Sequence, residues 1–577
     1  MAERKGDSIT GFDSERDRRG RFGLVLICLC MAVAFVHAES LTSPTTDEGG
    51  HLVRGLAWWT TPDTRLSWPH PPLGQLVTSA PGAIFGEPTS FEEMRGYDKA
   101  DFISITRVYW RDYEEARGQL RIARWMMALL SILLAIYLYE WLVRRFGVRL
   151  ALFTTVLFAA NPILLAHAGL MTTDFPVAAV TLVALLQLYD YLKSPAWWRT
   201  LALALAVGAL LTTKLTGFVV ALLLLPPAAV YAIMRRGRFA DRTSEQNSLL
   251  ILRNIFVVLF IGVLSVNLAY RFDDTGLSVA ELIDHPEPRN WIGRDLVSER
   301  TTLGKLPGGL WLPIPFTYVF SGEFVRAQNR RGHAGYFMGR KTPKGVPGYF
   351  PILLAIKLPT GTVVLLLLGL ALAVRRRFRG LPLDVWLHGY FASAFLALTF
   401  NSHINLGVRH AILVVPSLVI LAGRAANAGW TRGHRWKWAA VGCIASAVIG
   451  TAMAHPRYLG DFNWLVGGRT GGHYVSVIGE DWGQDVSELA EWQKKTGVPL
   501  AYHTKKSLRY AALEGMGVEF QKLGCDAVPP EGHWVAIHRS SRARQRSCVR
   551  RYADREPDVV LNDHILLFRP VEAEPAQ

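Results

Sequence analysis

Cysteine is scarce in this chain, with five in 577 residues, and none of the five has the spacing of a metal-binding pair. Cys28, Cys30 and Cys443 fall inside apolar runs, where a thiol behaves as a small hydrophobe. Cys525 and Cys548 remain, both in the polar C-terminal region, where a disulfide is open to them if that region is exported to an oxidising compartment. Acids are also in deficit: 63 Lys and Arg stand against 47 Asp and Glu, a formal net charge of +16. The excess lies in short clusters between apolar runs, the pattern of a membrane protein and not of a continuous basic face for nucleic acid. Ionisable side chains gather at the ends of those runs, whereas a proton pump or ion channel places them at the midplane as well. No internal repeat of the inverted-repeat transporter kind is visible, and the C-terminal region holds no nucleophile paired with a base.

Half of the residues are apolar and 18 are Trp. Apolar runs at about 22–38, 120–143, 150–161, 176–192, 199–213, 215–234, 249–270, 349–374, 383–400, 411–423 and 436–454 predict about eleven spans. Residues 1–21 are polar and read as a disordered cytoplasmic tail. The ending Val36-His37-Ala38 also fits a signal-peptide cleavage site. The basic groups Arg144-Arg145-Arg149, Lys193-Arg199, Arg235-Arg236-Arg238, Arg375-Arg376-Arg377-Arg379 and Arg432-Arg435-Lys437 all fall on the side of the N-terminus when loops are counted alternately. The positive-inside rule therefore puts the N-terminus in the cytoplasm. The long polar loops at about 39–119 and 271–348 and the region 456–577 then face outward. Trp and Pro in the first loop predict helices lying in the interface plane. Residues 456–577 carry strand-like pieces at 499–503, 534–538 and 564–568 and a helix-like piece at 486–495, as a small, separately folding α/β domain would. The expected fold is an α-helical polytopic membrane protein, with residues 22–455 as its multi-spanning part and this extracytoplasmic domain at its C-terminus.

The stretch Thr45-Thr46-Asp47-Glu48-Gly49-Gly50-His51 follows the first span directly. Carboxylates beside hydrocarbon are costly to keep ionised, and a pKa raised by burial suits a general base. The plainer reading makes Asp47 a helix N-cap. Asp174 begins another span, Lys214 joins two, and His51, His70, His403, Arg409 and His410 lie at outer ends as well. Any one of them alone reads equally as an interface anchor. Together they outline a cavity of acids and bases at one rim, suited to transfer from a lipid phosphate to an acceptor hydroxyl or amine. Cations hold the phosphate there, Lys214 and Arg409 first, aided by His70, His410 and the Arg330-Arg331 pair, while Asp47 takes the acceptor proton.

The order of an acidic pair after the first span, His70-Pro71-Pro72-Leu73, Thr173-Asp174-x-Pro176, Thr213-Lys214-x-Thr216-Gly217, Tyr349-Phe350-Pro351 with Lys357, and Gly407-Val408-Arg409-His410 resembles the C-type glycosyltransferases that use polyprenyl-phosphate sugars. The likeness runs from about residue 22 to 460 and is nearest the bacterial branch similar to protein O-mannosyltransferases and lipid A aminoarabinose transferases. It implies a multi-pass protein of the plasma membrane, a polyprenyl-phosphate sugar as donor, and Asp47, with Glu48 beside it, and Asp174 as catalytic acids. His51 joins the substrate-binding set. The segment Asp481-Trp482-Gly483-Gln484-Asp485 resembles a stretch after the last span of many bacterial members. The soluble sugar-binding fold inserted in eukaryotic protein O-mannosyltransferases is not evident, which leaves lipid, glycan and protein acceptors open. No cofactor is assigned, and a divalent cation held by Asp174 with Asp47 stays open. The competing readings are a lipid-linked sugar flippase, which needs groups reachable from both faces, and an inert scaffold.

Overall fold

In a computed structural model of the chain, residues 10–234, 244–285, 301, 303–525, 527–544 and 547–570 are described. Among the described residues seven helices are long and apolar enough to cross a membrane: Asp17–Leu41, Tyr113–Phe146, Asp174–Lys193, Thr216–Met234, Leu249–Ala269, Ile412–Trp430 and His434–Ala454. Two bent pairs raise the number to nine, Val148–Ala159 with Pro162–Ala168 at 64° and Tyr349–Lys357 with Thr360–Arg375 at 119°. The bends have local causes. Asn161 caps the amides of Ile163 and Leu164, with Pro162 in the first turn, and Pro359 interrupts the second pair.

The remaining two of the expected eleven spans are the 17-residue helices Trp197–Thr213 and Leu383–Thr399. At 1.5 Å per residue each is about 25 Å long, short of a hydrocarbon layer of roughly 30 Å. Seven to nine helices thus qualify by length and composition, and these two, at the lower limit for a crossing, make up the eleven. An apolar run in sequence does not distinguish a crossing from a helix covered by its neighbours, and Trp197–Thr213 packs between Asp174–Lys193 and the helix Ser244–Ala269. A correction concerns the N-terminal tail. The first helix already begins at Thr10, inside the stretch expected to be disordered, and an Arg21–Asp17 pair at i,i+4 joins adjacent turns across 3.2 Å. The Arg235-Arg236-Arg238 loop lies outside the described residues.

The two ends of the bundle differ in character. One is closed by short connections and pinned by Arg145–Asp190, by Arg424–Asp384 at 2.5 Å and by Arg149–Asn427 at 2.8 Å. The other carries the long polar segments, which are folded. The first loop forms the helices Glu48–Thr60, Leu73–Phe85 and Phe102–Tyr109, and the second forms Phe316–Arg331 and an antiparallel hairpin of β1 (Gly335–Phe337) and β2 (Arg340–Thr342).

On these segments sits the C-terminal domain. Its five strands are β3 (Leu500–His503), β4 (Gln521–Lys522), β5 (Trp534–His538), β6 (Val559–Leu561) and β7 (Ile565–Phe568), in the spatial order β4-β3-β5-β7-β6. Strand β3 is parallel to β4 and β5, and the other pairs are antiparallel. Alternation along the strands divides the side chains between two cores. Ala501, Val535, Ile537, Leu566 and Phe568 pack with Val549 and Tyr552 on one face. Tyr502, Ala536 and Leu567 pack on the other with Leu52, Trp110 and Phe320 of the polar loops. The domain therefore shares a hydrophobic core with the loops beneath it and is not a separate unit. Cys525 is disulfide-bonded, Cys28, Cys30 and Cys443 are free, and the side chain of Cys548, the expected partner, lies outside the described residues.

Candidate active site

The two acids of the opening motif point to different places because they occupy successive positions at a helix start. Glu48 is fully buried. Its carboxylate accepts from Arg124 Nε at 2.8 Å and Nη2 at 2.6 Å, and from the backbone amides of Thr45 at 2.8 Å and Met171 at 2.9 Å. Arg124 also donates to the carbonyls of Thr42 and Ser43. This fully hydrogen-bonded pair joins the segment before Asp47 to the segment before Asp174. Glu48 does not reach the cavity, so its assignment as a catalytic acid is corrected to a structural one: four donors occupy its oxygens.

Asp47 faces a cavity of about 730 Å³ between the bundle and the C-terminal domain, lined also by His51, Arg54, His70, Asp174, Lys214, Arg409 and His410. Arg409 Nη1 donates to Asp47 Oδ2 at 2.5 Å, and Lys214 Nζ to Asp174 Oδ1 at 2.5 Å. Asp47 stands at the N-cap position of the helix Glu48–Thr60, but its side chain makes no capping hydrogen bond. Burial acts to raise its pKa, but the Arg409 guanidinium outweighs burial and holds the carboxyl below its ordinary value. The expectation of a base raised towards neutrality, with the cations at a distance, is therefore reversed: the cation is in contact. Arg409 and His410 follow Gly407, whose φ of +89° is left-handed. A Cβ on Gly407 would meet Gly479 Cα at 2.8 Å, so two glycines let the backbones of both regions touch here.

The imidazoles are kept neutral. Burial, then the charge of Arg54, pushes His51 down to about 3, and burial with Lys214 or Arg409 nearby takes His70 and His410 well below the ordinary value. His51 Nδ1 lies 2.9 Å from both Arg54 Nη2 and Gln75 Nε2, two donors that assign the ring proton to Nε2. Nδ1 of His70, Nε2 of His410 and Nη1 of Arg54 are buried with no protein partner. Buried polar atoms are costly unless paired, so the cavity is built to receive a polar ligand.

Arg330 and Arg331 do not line the cavity and are exposed, because the Phe316–Arg331 helix offers Phe324 and Gln328 to it from earlier turns. Lys357 is buried away from it, donating to the carbonyl of Leu459 at 3.0 Å and lying 3.5 Å from Glu480. His403 likewise stays outside the lining, its amide donating to Asn329. Among the described residues no group of three or more His, Cys, Asp and Glu side chains is placed to hold a metal ion. Asp47 and Asp174 are each committed to a cation, which does not fit a divalent site between them.

Sequence spacing missed the contribution of the C-terminal domain. Trp482, Lys506, Arg509 and Ser540 line the same cavity. Asp481 itself is taken up by His538 Nδ1 at 2.8 Å and the amide of Ser540 at 3.0 Å, and Asp485 by His564 Nδ1 at 2.7 Å. The signal was the unusual Asp481–Asp485 stretch, whose partners lie some sixty to eighty residues on in the chain.

Solved structures similar to the chain include the following two. ArnT from Cupriavidus metallidurans bound to undecaprenyl phosphate is 16% identical at a TM-score of 0.46, over 96% of this chain and 98% of that one. The oligosaccharyltransferase AglB from Archaeoglobus fulgidus, in complex with an inhibitory peptide and a dolichol-phosphate, is 11% identical at 0.42, over 86% of this chain and 64% of that one. No curated protein sequence matches. Residues 117–265, from the helix that carries Arg124 through Asp174 and Lys214, match the family described as Dolichyl-phosphate-mannose-protein mannosyltransferase. The matched stretch takes in Arg124 of the buried Glu48–Arg124 pair and both members of the second acid–cation pair, Asp174 and Lys214.

Proposed function

We propose that the chain transfers a sugar from a polyprenyl-phosphate donor to an acceptor hydroxyl or amine, at the extracytoplasmic face of the plasma membrane and with inversion at the sugar carbon. The observation that carries this reading is the Asp47–Arg409 pair in the wall of the cavity. A guanidinium that holds a carboxylate is equally suited to a phosphate, which offers more acceptor oxygens and more charge. As the donor phosphate draws Arg409, Asp47 becomes free to accept from the incoming nucleophile. In the transfer step the acceptor oxygen bonds to the sugar carbon while its proton passes to Asp47. The bond from that carbon to the phosphate oxygen breaks, and the electron pair leaves with polyprenyl phosphate, held by Arg409 and Lys214. A single displacement inverts the carbon. Asp174 keeps Lys214 in place, and His51 presents Nε2–H as a neutral donor.

Binding of undecaprenyl phosphate tests the cation roles. Lys214→Ala and Arg409→Ala should each weaken it by about ten- to a hundredfold, the effect of losing a charged hydrogen bond. Arg409→Lys should be impaired too, since an ammonium replaces neither the planar fork nor the stacking surface. Wild-type affinity in both alanine variants would show that the phosphate binds elsewhere.

The orientation rests on the basic loops and on the disulfide at Cys525, a bond of oxidising compartments. In cells carrying the chain without its free cysteines, a cysteine at Glu531 is expected to react with an impermeant maleimide and one at Gly380 to be protected. The opposite pattern would invert the topology.

A further inference from the structure

We infer that Trp482 is a positioning residue for the transfer, acting through Arg409, so that the C-terminal domain completes the active site; this rests on the reading of Arg409 as the phosphate-binding cation. The indole is buried in the cavity wall and lies under the guanidinium, with Arg409 Cζ 4.2 Å from the ring centre. A guanidinium stacked on an aromatic face keeps its edge free for in-plane hydrogen bonds. Here that edge meets Asp47 through Nη1, while Nε donates to the carbonyl of Leu406 at 3.2 Å. Face and edge are both engaged, and the stacked face keeps the edge turned towards the cavity when the edge exchanges partners.

The backbone of Trp482 locks the other half of the pair. Its carbonyl accepts from the amide of Thr46 at 3.0 Å and from the Thr46 hydroxyl at 2.9 Å, one residue before Asp47. Two residues on, the carbonyl of Gln484 accepts from the amide of Ser43 at 2.9 Å, and the Ser43 hydroxyl accepts from the amide of Ser487 at 2.7 Å. On its far side the segment is tied to the sheet through Asp481 with His538 and Ser540, and through Asp485 with His564. Gly483, at φ +98°, turns the chain where a Cβ would meet Arg509 Nε at 2.7 Å. One residue thus holds the guanidinium by its side chain and the base-bearing segment by its carbonyl, and is itself anchored in the C-terminal sheet.

A double-mutant cycle with undecaprenyl phosphate as the probe, on the full chain in detergent, tests this. Trp482→Leu is expected to weaken binding about tenfold and Trp482→Phe, which keeps an aromatic face, by less than about threefold. In an Arg409→Ala background Trp482→Leu should have almost no further effect, whereas in a Lys214→Ala background its tenfold loss should persist. Thr46→Val, which removes only the hydroxyl contact, serves as the milder variant if Trp482→Leu does not fold, and should show the same dependence on Arg409. Equal losses in the Arg409→Ala and wild-type backgrounds, or a Phe variant as impaired as Leu, would overturn the inference while leaving the proposed function intact. Wild-type chain that binds no undecaprenyl phosphate would overturn both.

Discussion

Asp47→Asn is expected to insert and melt like the parent chain and to transfer sugar about a hundredfold to ten-thousandfold more slowly, the usual cost of removing a general base. The amide keeps the shape of the carboxylate and can still accept one hydrogen bond from Arg409, but it takes no proton from the acceptor. Stability should be almost unchanged, because the Asp47 side chain caps nothing in the helix it precedes. The base form also persists into acid: with its pKa held down by Arg409, Asp47 stays ionised, and the acid limb of the free enzyme's pH–rate profile should fall below the ordinary carboxylate value near 4. Initial rates across pH, beside melting curves, read both effects. Asp174→Asn belongs in the same experiment, since Asp174 lies in the same cavity. Near wild-type transfer by Asp47→Asn with a dead Asp174→Asn would reverse the roles; activity in both would remove the catalytic reading of the cavity.

The second large effect is one of folding. Glu48→Gln should destabilise the protein by about 3–5 kcal/mol, because Arg124 is left charged, buried and without its counter-ion. Glu48→Gln combined with Arg124→Met should be much less costly, since no uncompensated charge then remains in the interior. The neighbouring acids therefore part company in a measurable way: Asp47→Asn loses rate at constant stability, and Glu48→Gln loses stability first. A Glu48→Gln variant with wild-type melting behaviour and no transfer would return Glu48 to the chemistry.

Much of the architecture was legible in sequence for a plain reason: apolar runs and basic clusters report how each segment partitions between hydrocarbon and water, a property that is local and adds up along the chain. The same locality leaves two runs at the margin: Trp197–Thr213 and Leu383–Thr399 are apolar, but at 17 residues each stands at the lower limit for a crossing. The strands of the C-terminal domain and the break at Asn161-Pro162 follow from turn and cap chemistry, which is equally short-ranged.

Sequence by itself determined which residue types stand at the outer span ends, and Asp47, His51, His70, Asp174, Lys214, Arg409 and His410 line one cavity there, while His403 does not. Only the tertiary structure decided how they divide the work. Adjacent residues 47 and 48 part because a helix start turns successive side chains to different sides, which sends Glu48 to Arg124, 76 residues on, and Asp47 to Arg409, 362 residues on. Arg330 and Arg331 match Arg409 in charge, yet their turn of the helix faces solvent. Trp482 carried no charge to attract notice, and it comes to lie against Arg409 because Gly407 and Gly479 allow two backbones to meet. Ion pairing and stacking act over a few ångströms in space, so partners far apart in sequence are chosen by the fold and leave no spacing for a sequence to reveal.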